Sequence, residues 1–500
     1  MADTYMNYIG GKWVPSREGG TFESRNPAKP DEVLGVFQHS TNADVDAAMA
    51  AAEAARPDWA NIPAPERGLI LNRIADLLQE RREDIATTIS REMGKVYAEA
   101  NGFDIQAAIN TARQMVGEGR RMLGHTMPSE LRDKFAMVVR EPMGIVGAIT
   151  PWNLPILLPS WKLFPAMLCG NTVVFKPAED TPLTSVLLMR VLEDAGVPPG
   201  VMNMITGYGH EIGKHFVTHP NLNMVSFTGS MAVGRLIASQ AGEHLKKVSL
   251  ELGSKNAVVV MDDAELEIAL QGCLWGGFGT SGQRCTAGSR VVVHAGIYDQ
   301  FIEAFLDQVK ALKVGDGLDP QTQVGPLVNE KQLNRVHDYI GIGQGEGATL
   351  LTGGRKLQDQ MGGGFFYEPT IFTDVEPSMR IAQEEIFGPV VCVMKANSFD
   401  HAIEIANSTN YGLSFGIYTN DVNRAFAAIR RLEAGVVNVN SPTMGVEIGV
   451  PFGGYKCSGN GMRESGTAAV EEYSEVKSVM VDFSGLHRRT GVNESQTKKA

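Results

Sequence analysis

The sequence lacks the marks of several protein classes. It has no cluster of Lys and Arg, and 45 basic against 57 acidic residues leave a net charge of −12. A general nucleic-acid surface needs the opposite balance. No repeat or low-complexity tract is present, and no Pro/Ser-rich hinge divides the chain. Cysteine is scarce. Cys169, Cys273, Cys285, Cys392 and Cys457 stand apart, with no CxxC pair and an odd count, which argues against a disulfide framework and fits a reducing, cytoplasmic compartment. The opening MADTYMNYIGGKW has no basic region followed by an apolar core, so no secretory leader is expected. The uncharged run 142–161 carries Pro142, Pro151, Pro155 and Pro159. A membrane-spanning helix must satisfy its own backbone, which four prolines defeat; the run is predicted to be a buried strand leading into a loop.

What is present is an ordinary soluble-enzyme composition, 43% hydrophobic and 20% charged over 500 residues, long enough for two or three domains. Residues 43–56 and 64–95 show apolar positions at helical spacing. From 172 the texture alternates. TVVFK (172–176), VMNMI (201–205) and NMVSF (about 222–227) read as strands. Residues 181–196 read as a helix with a Thr181 cap and Pro182 at its first position. Another helix is expected from Ser230. This rhythm predicts a parallel sheet covered by helices. A second α/β stretch begins near 254, with strands in NAVVVM and SRVVVH and a helix in YDQFIEAFLDQVKAL.

TSGQRCTAGSR (280–290) places Cys285 among small polar residues beside Arg284. A thiolate is a strong nucleophile, and an adjacent cation lowers a thiol pKa. An inert buried cysteine is the competing reading, and the preferred one for Cys169, Cys273 and Cys392 in their apolar runs. Glu251 ends a predicted strand in VSLELGSKN, where apolar neighbours would raise its pKa toward that of a general base; a solvated surface carboxylate is the alternative. FTGSMAVG (227–234) is a strand end, a Gly turn and a helix start, a place for a pyrophosphate. FKPAEDTP (175–182) sets Lys176 and Glu179 in a loop where they could bond ribose hydroxyls. An ordinary βα turn explains either segment equally well alone. GYGHEIG (207–213) is one residue longer than the dinucleotide fingerprint. His210 and His215 are five apart rather than four, and no metal is expected.

In order, TPWNLP, FKPAEDTP, FTGSMAVG, ELG, GQRC, EEIFGP and PFGG resemble the aldehyde dehydrogenase superfamily, over roughly residues 7–480. The resemblance implies an α/β fold. It comprises a Rossmann-like cofactor domain (1–123 and 146–253), an α/β catalytic domain (254–455) and a small β oligomerisation flap (124–145 and 467–486), followed by a polar tail (487–500). It implies Cys285 as nucleophile, Asn153 as oxyanion donor, Glu251 as base and Lys162 as a further catalytic residue. Cofactor contacts fall on Thr150, Trp152, Lys176, Glu179, Gly209, Gly213, Phe227, Gly229, Ser230, Leu252, Glu385 and Phe387. The cofactor is expected to be NAD, with NADP use also open, because Glu179 would repel a 2′-phosphate while Lys176 offsets that. The implied reaction oxidises an aldehyde to the acid through a thioester on Cys285. The GQRCT and C-terminal segments point to semialdehydes such as that of 2-oxoglutarate. Arg284 either attracts a substrate carboxylate or makes a structural ion pair. The alternatives are an acyl-CoA-forming enzyme and a catalytically silent structural member. A homodimer or homotetramer is expected through an alternating edge strand near 472–484, with no nucleic-acid or membrane partner.

Overall fold

The computed structural model describes residues 2–445 and 447–485; the polar tail expected at 487–500 lies outside the described residues. Its first sheet has seven strands in the order Lys247–Leu252, Met224–Gly229, Ile145–Ile149, Thr172–Lys176, Met202–Met204, Asn7–Ile9 and Lys12–Val14. The first five are mutually parallel. IVGAI and TVVFK are almost wholly buried apolar runs, as central parallel strands must be when helices cover both faces.

The register sets one functional edge. Ile149 lies opposite both Lys176 and Phe227, and Thr228 lies opposite Glu251. Chain order reverses where Ile145–Ile149 meets Met224–Gly229. In doubly wound sheets ligands bind outside the carboxyl ends of the strands at such a switch point.

The second sheet runs Thr349–Thr352, Thr370–Thr373, Val390–Ala396, Arg290–His294, Ala257–Val260, Ser414–Tyr418 and Val436–Val439. It is parallel except at its Thr349–Thr352 edge. A third, antiparallel sheet joins Ser474–Asp482, Lys134–Pro142 and His125–Met127. The preceding helix Ala468–Glu472 is not part of that arm. Val470 and Tyr473 are buried in the core of the first sheet, and the Tyr473 hydroxyl donates to Ser226 Oγ at 2.8 Å. No helix among the described residues is long and apolar enough to cross a membrane.

Two local expectations need correction. The loop expected to continue through 161 ends early, because a helix occupies Leu157–Leu168 and every residue of it is buried. Pro159 falls in its first turn, where no intrahelical N–H bond is lost. The helix Pro182–Asp194 does start after Thr181, but the Thr181 side chain does not cap it. The cap is Glu92, a buried carboxylate from the helix Arg82–Met93. It accepts from Leu183 N at 2.5 Å and from Thr184 N and Oγ1 at 2.9 and 2.8 Å. A distant carboxylate beats the local hydroxyl because it satisfies two orphan N–H groups at once and opposes the helix dipole.

This cap also fixes the start of the helix that follows the Lys176–Glu179 loop. Glu92→Ala should therefore lower stability by about 2 kcal/mol, read as a lower denaturation midpoint. An unchanged midpoint would show that the contacts contribute nothing.

Candidate active site

The carboxyl edge of the first sheet faces the loop that carries Cys285. That loop leaves the helix Leu266–Phe278 through a tight turn at Gly279–Gly282. Thr280, Ser281 and Gly282 are successively left-handed, with φ of 52°, 56° and 69°. Such angles strain Thr and Ser. Gly282 has no alternative, since a Cβ there would sit 2.1 Å from the Gly388 carbonyl.

Cys285 is half-buried. The small polar surround read from sequence is only one side of it. On the other side it packs against an apolar cluster that includes Leu157, Trp161 and Phe452. Its carbonyl accepts from Asn256 Nδ2 at 2.7 Å. Arg284 does act to lower the thiol pKa, as expected, but is outweighed. Burial, then the Glu385 and Glu251 carboxylates, push it up to about 12, and Arg284 only partly opposes them. Nor does Arg284 reach toward a substrate. It is 3% exposed, its Nε donates to Thr280 Oγ1 at 2.7 Å, and it lies 3.4 Å from Glu99 and 3.8 Å from Asp104. The structural ion pair is the alternative that holds.

Asn153 lies in the loop after Ile145–Ile149 and is buried. One N–H of its amide donates to the Gln283 carbonyl at 2.9 Å, two residues before the thiol. The amide has a second N–H to give. Glu251, next to last in its strand, is buried with neither carboxyl oxygen hydrogen-bonded. Desolvation, then the negative charge of Glu464, hold its pKa well above the ordinary carboxyl value, and the Lys162 ammonium opposes them. Lys162 itself is wholly buried, paired with Glu464 and 3.0 Å from Ser226 Oγ. A desolvated carboxyl with a cation behind it can take a proton near neutral pH.

The expected cofactor residues line the same edge. Thr150 N meets the Lys176 carbonyl at 3.4 Å. Trp152 stands edge-on to Phe387 at 5.4 Å, and Phe387 has a left-handed φ of 62°. The Lys176 ammonium lies 2.8 Å from the Pro177 carbonyl and 3.5 Å from Glu179, whose side chain is 37% exposed. Gly209 begins a helix directly over Lys176, with room for a Cβ 3.6 Å from Cε, and Gly213 is open on the same helix. Phe227 and Gly229 close their strand, and Ser230 caps the helix Met231–Gly242 by accepting from Val233 N at 3.4 Å. The rest of that first turn has no intrahelical acceptor for its N–H groups. Leu252 packs under this helix at Gly234. Glu385 accepts from Ser254 N at 2.9 Å, and its pKa is raised to about 7 by burial. A Cβ on Gly253 would meet Glu385 Oε2 at 2.1 Å, so a larger residue there would push the carboxylate from its present place.

Helix N-terminus, glycine-lined approach and half-exposed acid thus fit a dinucleotide stretched along the edge. His210 and His215 take no part. They pair with Glu211 and Asp46, and among the described residues no group of His, Cys, Asp and Glu could hold a metal ion.

Sequence reasoning missed Glu464, Ser226, Lys95, Glu99 and Asp104. Glu464 stands in a segment, KCSGNGMRESG, that reads as a polar loop. Only its burial against Lys162 reveals it.

A model of the "Aldehyde dehydrogenase family" matches residues 13–479. The alpha-ketoglutaric semialdehyde dehydrogenase of Bacillus subtilis (strain 168) is 42% identical over 96% of this chain and 98% of its own. The alpha-ketoglutarate semialdehyde dehydrogenase of Haloferax volcanii is 43% identical over 96% and 99%. The crystal structure of betaine aldehyde dehydrogenase from Staphylococcus aureus in complex with NAD+ superposes with a TM-score of 0.94 at 36% identity. It covers 97% of this chain and 95% of that one.

The raised thiol pKa has a direct consequence. In the free protein, alkylation of Cys285 by iodoacetamide should climb about tenfold per pH unit through pH 10, since only the thiolate reacts. A plateau near pH 7, measured by peptide mass, would contradict it.

Proposed function

Because the chain belongs to the aldehyde dehydrogenase family, we propose that Cys285, Asn153, Glu251 and Lys162 carry its reaction in the roles their surroundings support. The reaction itself is the NAD-dependent oxidation of an aldehyde to a carboxylic acid. The observation that carries the assignment is a half-buried thiol near enough to the desolvated Glu251 carboxyl to feel its charge, with the Asn153 amide bonded two residues before it.

The Cys285 thiol gives its proton to Glu251, which releases it to solvent, as the sulfur bonds to the carbonyl carbon and the C=O π bond opens. Asn153 Nδ2 and the Cys285 N–H steady the oxygen that becomes charged. Bound NAD supplies the acceptor for the two electrons and the hydrogen that leave that carbon. The product on the protein is a thioester. Glu251 then takes a proton from water while a C–O bond forms and the C–S bond breaks, releasing the acid and the thiol. Lys162, behind Glu251, favours the ionised carboxyl that this step needs.

Thr150, Trp152, Lys176, Glu179, Gly209, Gly213, Phe227, Gly229, Ser230, Leu252, Glu385 and Phe387 hold the cofactor. Glu179 at the ribose end repels a 2′-phosphate and so favours NAD over NADP. Residues 1–123 with 146–253 form the cofactor unit and 254–455 the catalytic one, a division supported by the two separate sheets. The flap expected at 124–145 and 467–486 narrows at its second segment to the arm strand Ser474–Asp482, since Ala468–Glu472 packs with the first core. On the flap Val476, Met480 and Val481 are exposed along an edge strand. An unpaired apolar edge of that kind needs cover, and a second copy of the chain, as dimer or tetramer, supplies it. The two semialdehyde dehydrogenase relatives support a semialdehyde substrate, oxidised in the cytoplasm.

Cys285→Ala should abolish aldehyde oxidation while leaving NAD binding within about twofold by fluorescence titration; turnover above about 1% of wild type would remove Cys285 from its role. Wild-type product should be free acid whether or not coenzyme A is present. An acyl-CoA product would replace hydrolysis by acyl transfer.

A further inference from the structure

Behind the nucleophile lies a buried cluster that the reaction above does not use. Lys95, Glu99, Asp104 and Arg284 are each less than 9% exposed, two cations and two anions far from bulk water. Burying four charges costs several kcal/mol each unless every one is paired. Here each is paired, and the pairing joins two parts of the site.

On one side the cluster grips the turn before Cys285. Glu99 accepts from Thr280 N at 3.1 Å and from Thr280 Oγ1 at 2.5 Å. The same Oγ1 accepts from Arg284 Nε at 2.7 Å. Thr280 is the first of the consecutive left-handed residues, a conformation that persists only where its surroundings hold it. The Arg284 guanidinium is also sandwiched between Phe103 and Trp275, 4.6 and 5.7 Å from the ring centres. On the other side Lys95 binds Asp104 and donates to the Asn153 backbone carbonyl at 2.8 Å. The Asn153 amide closes the ring by donating to Gln283 O.

The local backbone explains how one segment supplies both anions. Glu99 and Asp104 are five residues apart. In an α-helix they would point to different faces. The segment Ala100–Ile105 is instead π-helical. Its i→i+5 bonding brings residues five apart onto one face. Such turns are rare and concentrate at functional sites.

We propose that Glu99, acting with Arg284 through Thr280, is a positioning residue that fixes the Cys285 thiol against the Asn153 amide. Lys95 and Asp104 anchor the amide side of the same ring. This rests on Cys285 being the nucleophile. It also gives Arg284 a role unrelated to substrate charge: the arginine beside the thiol is spent on its own turn. A misplacement of about 1 Å between reacting groups can cost on the order of 10²-fold in rate.

The test measures steady-state kinetics per NAD-binding site, counted by fluorescence titration, so that any unfolded fraction drops out. Glu99→Ala should lower kcat about 100-fold per NAD-binding site, with KM for NAD and for aldehyde changed less than about threefold. Glu99→Gln, whose carbonyl can still accept from Thr280 N, should recover most of that loss. Arg284→Lys keeps the charge but not the fork, and should lose about tenfold in kcat at constant KM. Wild-type kcat per NAD-binding site in Glu99→Ala or Arg284→Lys would overturn the proposal. So would a loss in Glu99→Ala that Glu99→Gln does not recover. Should Glu99→Ala give no soluble protein, Glu99→Gln and Arg284→Lys decide by the same ratio. If alkylating wild-type Cys285 leaves turnover intact, it is the nucleophile assignment that fails instead.

Discussion

Desolvation governs this structure. Glu251, Glu385 and Cys285 are all buried deeply enough that the charged form of each is disfavoured, and the two carboxylates add to that effect on Cys285. A carboxyl without a hydrogen bond is costly in such a place, and Glu251 has none. The price is tolerated because it supplies what hydrolysis needs, a base whose affinity for a proton lies far above that of a surface acid. Lys162 opposes that upward shift, and Glu464 pairs with Lys162.

The architecture exists to hold those groups at one edge. Parallel register sets Glu251, Thr228 and the end of Ile145–Ile149 side by side, and the strand-order reversal opens the crevice between them. The second sheet delivers Cys285 from across the cleft on a turn that is strained. Such strain survives because Glu99, Arg284 and the Ser281 hydroxyl, which donates to Gly325 O at 2.8 Å, hold the turn from several directions. Glycines at 253 and 282 let carboxylate and backbone approach where any Cβ would collide.

Much of this was legible in the sequence. The apolar runs TVVFK and NAVVVM, the helix start at Ser230 and the strand-end position of Glu251 follow from local periodicity and turn chemistry, and the structure has them where they were expected. What was not legible depends on partners distant in the chain. Thr181 looked like a cap because the sequence cannot show Glu92 arriving from 91 residues away. Pro159 looked like a helix breaker because first-turn placement is invisible without the preceding backbone. Arg284 remained ambiguous until Glu99 and Asp104 came together, and that meeting depends on a π-helical turn for which no sequence signal was read. The raised Cys285 pKa likewise reflects burial and two remote carboxylates, not its neighbour in sequence.

The central claim is that oxidation and hydrolysis are divided between Cys285 and Glu251 by way of a thioester. Rapid mixing of the Glu251→Gln variant with NAD and an aldehyde, then acid quench and peptide mass analysis, tests it most directly. One NADH per subunit should form in a burst, with the acyl group trapped on the peptide containing Cys285 and little turnover afterwards. Undiminished steady turnover with no acyl adduct on Cys285 would contradict the account.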